Sequence, residues 1–435
     1  MKDITRRSFM KNSVAAGVAL AIPRYAGARS QPAPFSRVRG ANDELRVAVV
    51  GLRGRGGGHV GEFHKSEGAR VVALCDIDEK VLNGRVEDFR KRNEKVGAYI
   101  DYRQMLEQDK SIDIVSIATP DHQHVPVAAH AVLAGKDVYV EKPMSHTIAE
   151  GRYLVNLARK YGRIVQHGTQ SRSAEGVAEG IEYVKSGKLG KCRLAKAINC
   201  QHRGKIGHKE DEPTPPHVHY DLWLGPAPKR PFNLNRYHYQ WHWWWDYGTG
   251  DTGNDGAHQI DIARWGLGVG LPKAVTCSGG QLYYDDDHET PDTQMATFEY
   301  DEGYVVFEMR LWTPYKQEGH DNGNIFYCDD GWLSIGRGGW KAYSKDGQEI
   351  AGGGKGRGSH MGNFLKAVRS RKISDLTADV EVGHHSATLC HLANIAMRVG
   401  RRLKFDAGKE RFIGDSEANK YLTKRYRKGF GLPKA

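Results

Sequence analysis

Several features that would settle a protein class at once are missing from this chain of 435 residues. It has no CxxC pair, which excludes a dithiol redox motif or a zinc ribbon. Its six cysteines, Cys75, Cys192, Cys200, Cys277, Cys328 and Cys390, lie far apart and read as buried free thiols, with a single disulfide left open. No apolar run reaches the ~20 residues needed to span a bilayer, so no stable membrane anchor is expected. Internal repeats and long low-complexity linkers are lacking; Gly352–Gly358 is a short glycine-rich loop. Seven histidines between His202 and His258 never take the zincin form. His238 and His242 are four apart, but the tryptophans around them favour stacking, so no metal is expected.

Acidic residues are the scarcer charge, 52 against 64 basic ones, for a net +12. Much of this excess is local. Removing the first 28 residues leaves +8, and a tail from Lys420 carries Lys424, Arg425, Arg427, Lys428 and Lys434 with no acid. That tail reads as a solvated, flexible end. No recognised nucleic-acid motif accompanies the charge, so no nucleic-acid partner is expected.

Hydrophobic residues at 39% and charged residues at 27% are ordinary for a soluble globular chain, and the length suits two domains. Residues 1–28 have a basic start, a short apolar block from Val14 to Ile22, and Ala26-Gly27-Ala28 before a cleavage point. Within the start, Thr5-Arg6-Arg7-Ser8-Phe9-Met10-Lys11 resembles a twin-arginine export signal, which implies the twin-arginine translocase as a partner and a periplasmic or otherwise exported destination. Residues 29–44 then form a linker. The twin-arginine route moves folded proteins, often with a cofactor inside, and any such cofactor would have to be held tightly outside the cytoplasm.

From Leu45 the sequence LRVAVVGLRGRGGGHV runs from a β-branched strand into a glycine cluster and a helix around Val60 to Ser66. Gly51 and Gly54 suit a tight turn beside a pyrophosphate, and Gly56, Gly57 or Gly58 suit close helix packing, although the spacing departs from strict GxGxxG. A second strand, Arg70 to Leu74, leads to Asp76, 25 residues beyond Gly51, where an acid can hold the ribose hydroxyls and favour NAD over NADP; Arg53 and Arg55 stand nearby. Helix Glu79–Asn93, strand Ile112–Ala118, helix Val125–Ala134, strand Asp137–Val140 and helix Ile148–Tyr161 continue the alternation. The expected first domain, residues 45–165, is therefore a parallel-sheet Rossmann domain.

The glycine turn, Ala118-Thr119-Pro120-Asp121-His122 and Glu141-Lys142-Pro143 together resemble the glucose-fructose oxidoreductase, inositol dehydrogenase and MocA (Gfo/Idh/MocA) family over about Leu45 to Asp406. The resemblance implies an NAD-dependent oxidoreductase acting on a CH–OH group. It implies a cofactor site that includes Gly51, Arg53, Gly54, Arg55, Gly56, Asp76, Thr119, Pro120, His122, His124, Glu141 and Lys142. It also implies a second α+β domain, residues 166–406, with a mostly antiparallel open sheet that supports a homodimer or homotetramer. Strands at Lys191–Ile198, Ala274–Ser278, Gln294–Tyr300, Tyr304–Leu311, Ile325–Cys328 and Trp332–Ile335, with helices at Ala174–Ser186, His258–Trp265, His360–Arg369 and His385–Val399, agree with it. Residues 407–435 remain as the basic tail.

Between the halves lies an aromatic-rich segment, His217 to Gly268, whose rings suit the C–H faces of a sugar. Arg236, His238, Trp241, His242 and Asp255 are its candidate substrate contacts. The resemblance assigns Lys142 to the nicotinamide and the reacting hydroxyl, and His258, in His258-x-x-Asp261, to proton transfer. The inositol dehydrogenase pattern has an aspartate four residues before that histidine, whereas this chain has Asn254, which holds a hydroxyl but takes no proton. Either His258 acts alone or Asp255, Asp251 or Tyr220 substitutes. The expected activity is oxidation, or reversible reduction, of a hydroxyl on a sugar, glycoside or cyclitol. The runner-up is an NAD-dependent glycoside hydrolase that oxidises transiently and eliminates, although the tyrosine and histidine motifs of known members are not evident. A noncatalytic sugar sensor is a third reading, against which Lys142 and His258 stand.

Overall fold

The computed structural model describes residues 44–354, 356 and 358–434; the export segment and the linker up to residue 43 lie outside the described residues. The first half alternates β1 (Leu45–Val50), α1 (Gly54–Lys65), β2 (Ala69–Cys75), α2 (Glu79–Lys91), β3 (Gly97–Tyr99), α3 (Tyr102–Gln108), β4 (Ile114–Ile117), α4 (Asp121–Leu133), β5 (Asp137–Glu141), α5 (Ile148–Lys160) and β6 (Val165–Gly168). All six strands pair in parallel, in the order β3-β2-β1-β4-β5-β6. Strands β4 and β5 are buried at every position, as a parallel sheet covered on both faces requires, which is why they read as continuous apolar runs. The order reverses between β1 and β4, and the crevice at the carboxyl ends of such strands is where an open α/β sheet takes a ligand.

Two differences from the sequence expectation have local causes. Helix α1 begins at Gly54, six residues before the apolar periodicity starts, because its glycines are there for contact and not for propensity. A Cβ on Gly56 would stand 1.8 Å from the Gly51 carbonyl oxygen, so only glycine lets the helix start against the turn. Strand β3 and helix α3 were not anticipated; β3 is three residues long and α3 seven, too short for a clear period, and the Asp101 carboxylate caps α3 by accepting from the Arg103 amide at 2.9 Å.

The second half adds α6 (Glu175–Lys185), β7 (Cys192–Asn199), α7 (Tyr220–Leu224), α8 (Gly250–Asn254), α9 (Gly256–Leu267), β8 (Ala274–Gly280), β9 (Thr293–Glu299), β10 (Tyr304–Arg310), β11 (Asn322–Cys328), β12 (Gly331–Gly336), β13 (Gly339–Ser344), β14 (Glu349–Gly353), α10 (His360–Ser370), α11 (Val380–Val399), β15 (Leu403–Asp406), β16 (Arg411–Phe412) and α12 (Ser416–Asn419). Among the described residues the sheet has ten strands, β14-β13-β12-β11-β7-β10-β9-β8-β15-β16, antiparallel except between β7 and β10. Helices α6, α9 and α11 pack on one face. The strands alternate buried and exposed residues, so Met295, Tyr304 and Tyr327 face outward from the other. Cys192 and Cys328 are cross-strand neighbours on β7 and β11 and form a disulfide; Cys75, Cys200, Cys277 and Cys390 are buried and free.

Helix α10 lies late in the chain but covers the first sheet, where Met361, Phe364, Leu365 and Val368 share a core with Leu45, Val47, Val49 and Phe63. The basic tail is not a solvated end. Lys424 is half-buried with its Nζ 2.9 Å from Glu150, the Tyr426 hydroxyl donates to the same carboxylate at 2.9 Å, and Leu432 packs against the core of the first half. Aromatic and apolar residues interleave with its cations, and these dock it. No helix among the described residues is long and apolar enough to cross a membrane.

Candidate active site at the strand ends

A cavity of about 670 Å³ opens at the carboxyl ends of β1, β2, β4 and β5. Gly51, with φ of +82°, carries the turn after β1; a Cβ there would stand 2.6 Å from the Ala118 carbonyl oxygen. Gly54 and Arg55, the opening residues of α1, line the cavity beside Arg53, whose side chain gives the helix no cap. Such an end offers backbone amides and positive potential to a phosphate. Asp76, at the end of β2, also faces the cavity. Its carboxylate accepts from the Leu52 amide at 2.8 Å and the Asp78 amide at 2.9 Å, which fixes its direction. Burial pushes its pKa up to about 6 against those bonds, so it is ionised at neutral pH.

At the opposite side, the loops after β4 and β5 bring Thr119, Pro120, Glu141 and Lys142 to the cavity. The His124 ring ties these loops together, with Nδ1 2.7 Å from the Pro143 carbonyl and Nε2 2.9 Å from that of Thr119. The Glu141 carboxylate accepts from Arg55 Nε at 2.8 Å and Gln170 at 2.9 Å and meets His59 Nε2 at 2.9 Å. Burial would raise the Glu141 carboxyl, but the His59 hydrogen bond and the charges of Arg55 and Lys142 outweigh it and hold it well below the carboxylate range. Glu141 therefore positions Arg55 and the strand end.

Lys142 also faces the cavity. Its Nζ donates to Asn254 Oδ1 at 2.7 Å, and Asn254 Nδ2 donates to Asp251 Oδ1 at 2.8 Å. Asp251 is buried and in turn meets Arg203 at 3.1 Å and Asn199 Nδ2 at 2.9 Å. One face of α8 thus converts a buried, charge-balanced acid into a neutral carbonyl aimed at Lys142. His258, on the first turn of α9, lines the same cavity. Burial pulls its pKa down, so the ring is neutral and able to accept a proton. Its Nδ1 is buried with no partner among the described residues, as is the Thr119 hydroxyl. Buried polar atoms are normally satisfied, and both of these belong to residues that line the cavity. A glycine turn at a helix start, a fixed carboxylate 25 residues on and two unsatisfied atoms at the far end together fit a dinucleotide and a hydroxyl-bearing substrate.

Of the sequence candidates, the cavity brings together Gly51, Arg53, Gly54, Arg55, Asp76, Thr119, Pro120, His124, Glu141, Lys142, His238, Trp241, His242, Asn254 and His258. Five others stand behind its walls. Gly56 is spent on the packing of α1, and His122 is buried with Nε2 3.0 Å from the Trp223 carbonyl. Tyr220 donates to the Pro231 carbonyl at 3.1 Å and stacks on Trp223. Arg236 pairs with Asp211 and lies over the Trp244 ring at 5.2 Å, and Asp255 is held by Asn322 at 2.9 Å and Arg203 at 3.4 Å. His238, expected against substrate, stands on the ribose side, with Nε2 3.8 Å from Asp78 and a φ of +52°. Trp241 and His242 stack at 3.6 Å.

Sequence reasoning passed over Tyr239 and Phe430. Tyr239 is half exposed, lines the cavity and meets the Asn254 side chain. It lies within the aromatic-rich segment His217 to Gly268, where its neighbours differ from it in no visible way. Phe430 lines the cavity from the far end of the chain, and no motif marks it.

Comparison with known proteins agrees with this geometry. Residues 45–169 match the family model for the Gfo/Idh/MocA oxidoreductase family with an NAD-binding Rossmann fold, and residues 198–307 and 355–432 match the model for its C-terminal alpha/beta domain. A curated relative from Shewanella sp. (strain ANA-3), named glycosyl hydrolase family 109 protein 2, is 36% identical over 172 residues, which is 36% of this chain and 38% of that protein. The chain thus spans well under half the length of the curated relatives it matches. Among solved structures, the WlbA dehydrogenase from Bordetella pertussis, in complex with NADH and UDP-GlcNAcA, superposes with a TM-score of 0.63 at 18% identity, covering 83% of this chain and 99% of that one. An aldose-aldose oxidoreductase from Caulobacter crescentus, complexed with glycerol, gives 0.61 at 19% identity, covering 83% and 100%. At such identities these two share the fold.

Proposed function

This chain belongs to the Gfo/Idh/MocA family of NAD-binding oxidoreductases, and from that premise we propose that it oxidises, or reversibly reduces, a hydroxyl of a sugar, glycoside or cyclitol with a tightly held NAD. One observation carries the reading: Lys142 and His258, the latter with an unpartnered Nδ1, line the same cavity as the glycine turn and Asp76. NAD supplies a hydride acceptor at its nicotinamide ring. The protein must remove the hydroxyl proton and steady the oxygen as the hydride leaves. His258, neutral and with a free ring nitrogen, takes the proton. Lys142 stabilises the developing alkoxide, held in aim by Asn254. Trp241, His242 and Tyr239 offer ring faces and polar edges to the rest of the sugar.

Export by the twin-arginine route belongs to this proposal, supported by residues 5–11 and by the Cys192–Cys328 disulfide, which suits an oxidising compartment. So does a homodimer or homotetramer formed through the outward face of the second sheet. The names of the curated relatives favour one second reading, a glycoside hydrolase in which the redox step is internal. Mass spectrometry after incubation with a panel of glycosides, free sugars and cyclitols plus NAD tests both. A product two hydrogens lighter with its glycosidic bond intact supports the oxidoreductase; aglycone release without net NADH replaces it with the hydrolase.

A further inference from the structure

The C-terminal segment reaches the proposed cofactor cavity at Phe430. Phe430 lines it beside Ile100, Tyr102 and Arg103, the residues that follow β3. In the strand order β3 and β2 lie on one side of β1 and the catalytic strand ends on the other. Asp76 at the end of β2 marks the adenosine ribose, so the next position outward, at β3, is that of the adenine ring. Phe430 therefore faces the adenine end, opposite Lys142.

The segment is anchored on both halves of the molecule. Toward the second half, the Arg427 side chain donates to the Gly225 carbonyl at 2.9 Å and pairs with Asp221, and its amide donates to the Pro226 carbonyl at 3.1 Å. Toward the first half, Lys424 and Tyr426 converge on buried Glu150, and the Tyr153 hydroxyl donates to the Pro433 carbonyl at 2.6 Å. The guanidinium groups of Arg427 and Arg103 stand 4.3 and 5.1 Å from the ring centroid, and Arg103 is fixed by bonds to Asp101 of 3.0, 3.1 and 2.6 Å. A flexible tail would have none of these ties.

We propose that residues 424–434 are a strap that seals the adenine end of the NAD site, with Phe430 as its stacking face, and that this strap sets how slowly the dinucleotide leaves. This rests on the reading of the cavity as an NAD site and explains the retention that reading requires. The contacts on each half also tie the strap to both domains. The adenine contact is a ring on a ring flanked by cations, a combination that gives affinity without using any catalytic group.

The test is the release rate of NADH from the full chain, followed by the fluorescence of the bound nucleotide, with reduced nicotinamide mononucleotide as the probe that lacks adenosine. Phe430→Ala is expected to speed NADH release roughly ten- to a hundredfold, the range of one lost base–aromatic stack. It should leave binding of the mononucleotide unchanged, and Phe430→Trp should keep slow release. A chain ending at Thr423 should lose retained nucleotide altogether. Unchanged NADH release from folded Phe430→Ala, or equal weakening of the mononucleotide, overturns the strap. Failure of the unaltered chain to bind either nucleotide overturns the NAD reading itself, and the two failures are told apart by that control.

Discussion

The two ends of the cavity are built by opposite means. The end proposed as catalytic is made of short segments whose polar groups sit in sequence-local motifs: Lys142 follows directly on β5, and Asn254 and His258 lie four residues apart on consecutive helices. Its polar atoms are buried and directional. The end proposed for adenine is made from residues more than three hundred positions apart, Arg103 and Phe430, and relies on a ring contact and a docked tail. Chemistry demands fixed geometry within a fraction of an ångström, whereas retention demands only area and enclosure, so short motifs suit the first and long-range packing suits the second.

That contrast breaks first at Lys142. Lys142→Ala should leave NAD bound while hydride transfer falls about a thousandfold or more, because the lost cation acts on the developing alkoxide and not on the ground state. Equal losses in nucleotide affinity and turnover would mean that the two ends are not separable. His258→Asn should cost roughly a hundredfold and remove the acid limb of the pH–rate profile. In the unaltered protein that limb lies below the ordinary histidine value of ~6.5, since burial lowers the His258 pKa and the rate falls as pH drops through it.

Smaller effects sharpen the picture. Burial holds His167, His242 and His391 neutral, each with its pKa pulled down to about 3. Below ~6.5 the unfolded chain takes up protons that these folded rings refuse, so thermal stability should decline steadily from neutral pH toward pH ~4, and calorimetry across that window checks the sign. Asn254→Asp would set a carboxylate where Asn254 Nδ2 now lies 2.8 Å from Asp251 Oδ1, a like-charge contact only partly offset by Lys142. The melting temperature should fall by a few degrees, on the order of 1 kcal/mol. Arg236→Ala should change stability by about 1 kcal/mol and leave KM for substrate where it was, since the guanidinium is engaged with Asp211 and Trp244 behind the wall.

The same contrast governs what could be read before the structure. The parallel sheet was legible because buried strands such as β4 and β5 are unbroken apolar runs between helical periods. Gly51, Asp76, Lys142 and His258 were legible because each sits at a fixed offset from a strand or helix end. Within the aromatic segment, sequence could not separate Trp241 and His242, which face the cavity, from Tyr220 and Arg236, which do not, because irregular backbone has no period that assigns faces. His238 shows this most plainly: its positive φ turns it to the Asp78 side, against the expectation from its neighbours. The tail misled for another reason. Its charge suggested solvent, but Lys424 and Arg427 are partnered by Glu150 and Asp221, acids distant in sequence.

The central claim is that a carbinol hydrogen passes to the nicotinamide under the direction of Lys142. The most direct measurement is a rapid-mixing experiment in which the NAD-loaded chain meets the panel of glycosides, sugars and cyclitols while the near-ultraviolet absorbance of reduced nicotinamide is followed in a single turnover. The account predicts a rise with at least one class of compound that is lost in Lys142→Ala although nucleotide stays bound. A loaded protein that shows no reduction with any of them, or the same rise without Lys142, would contradict it.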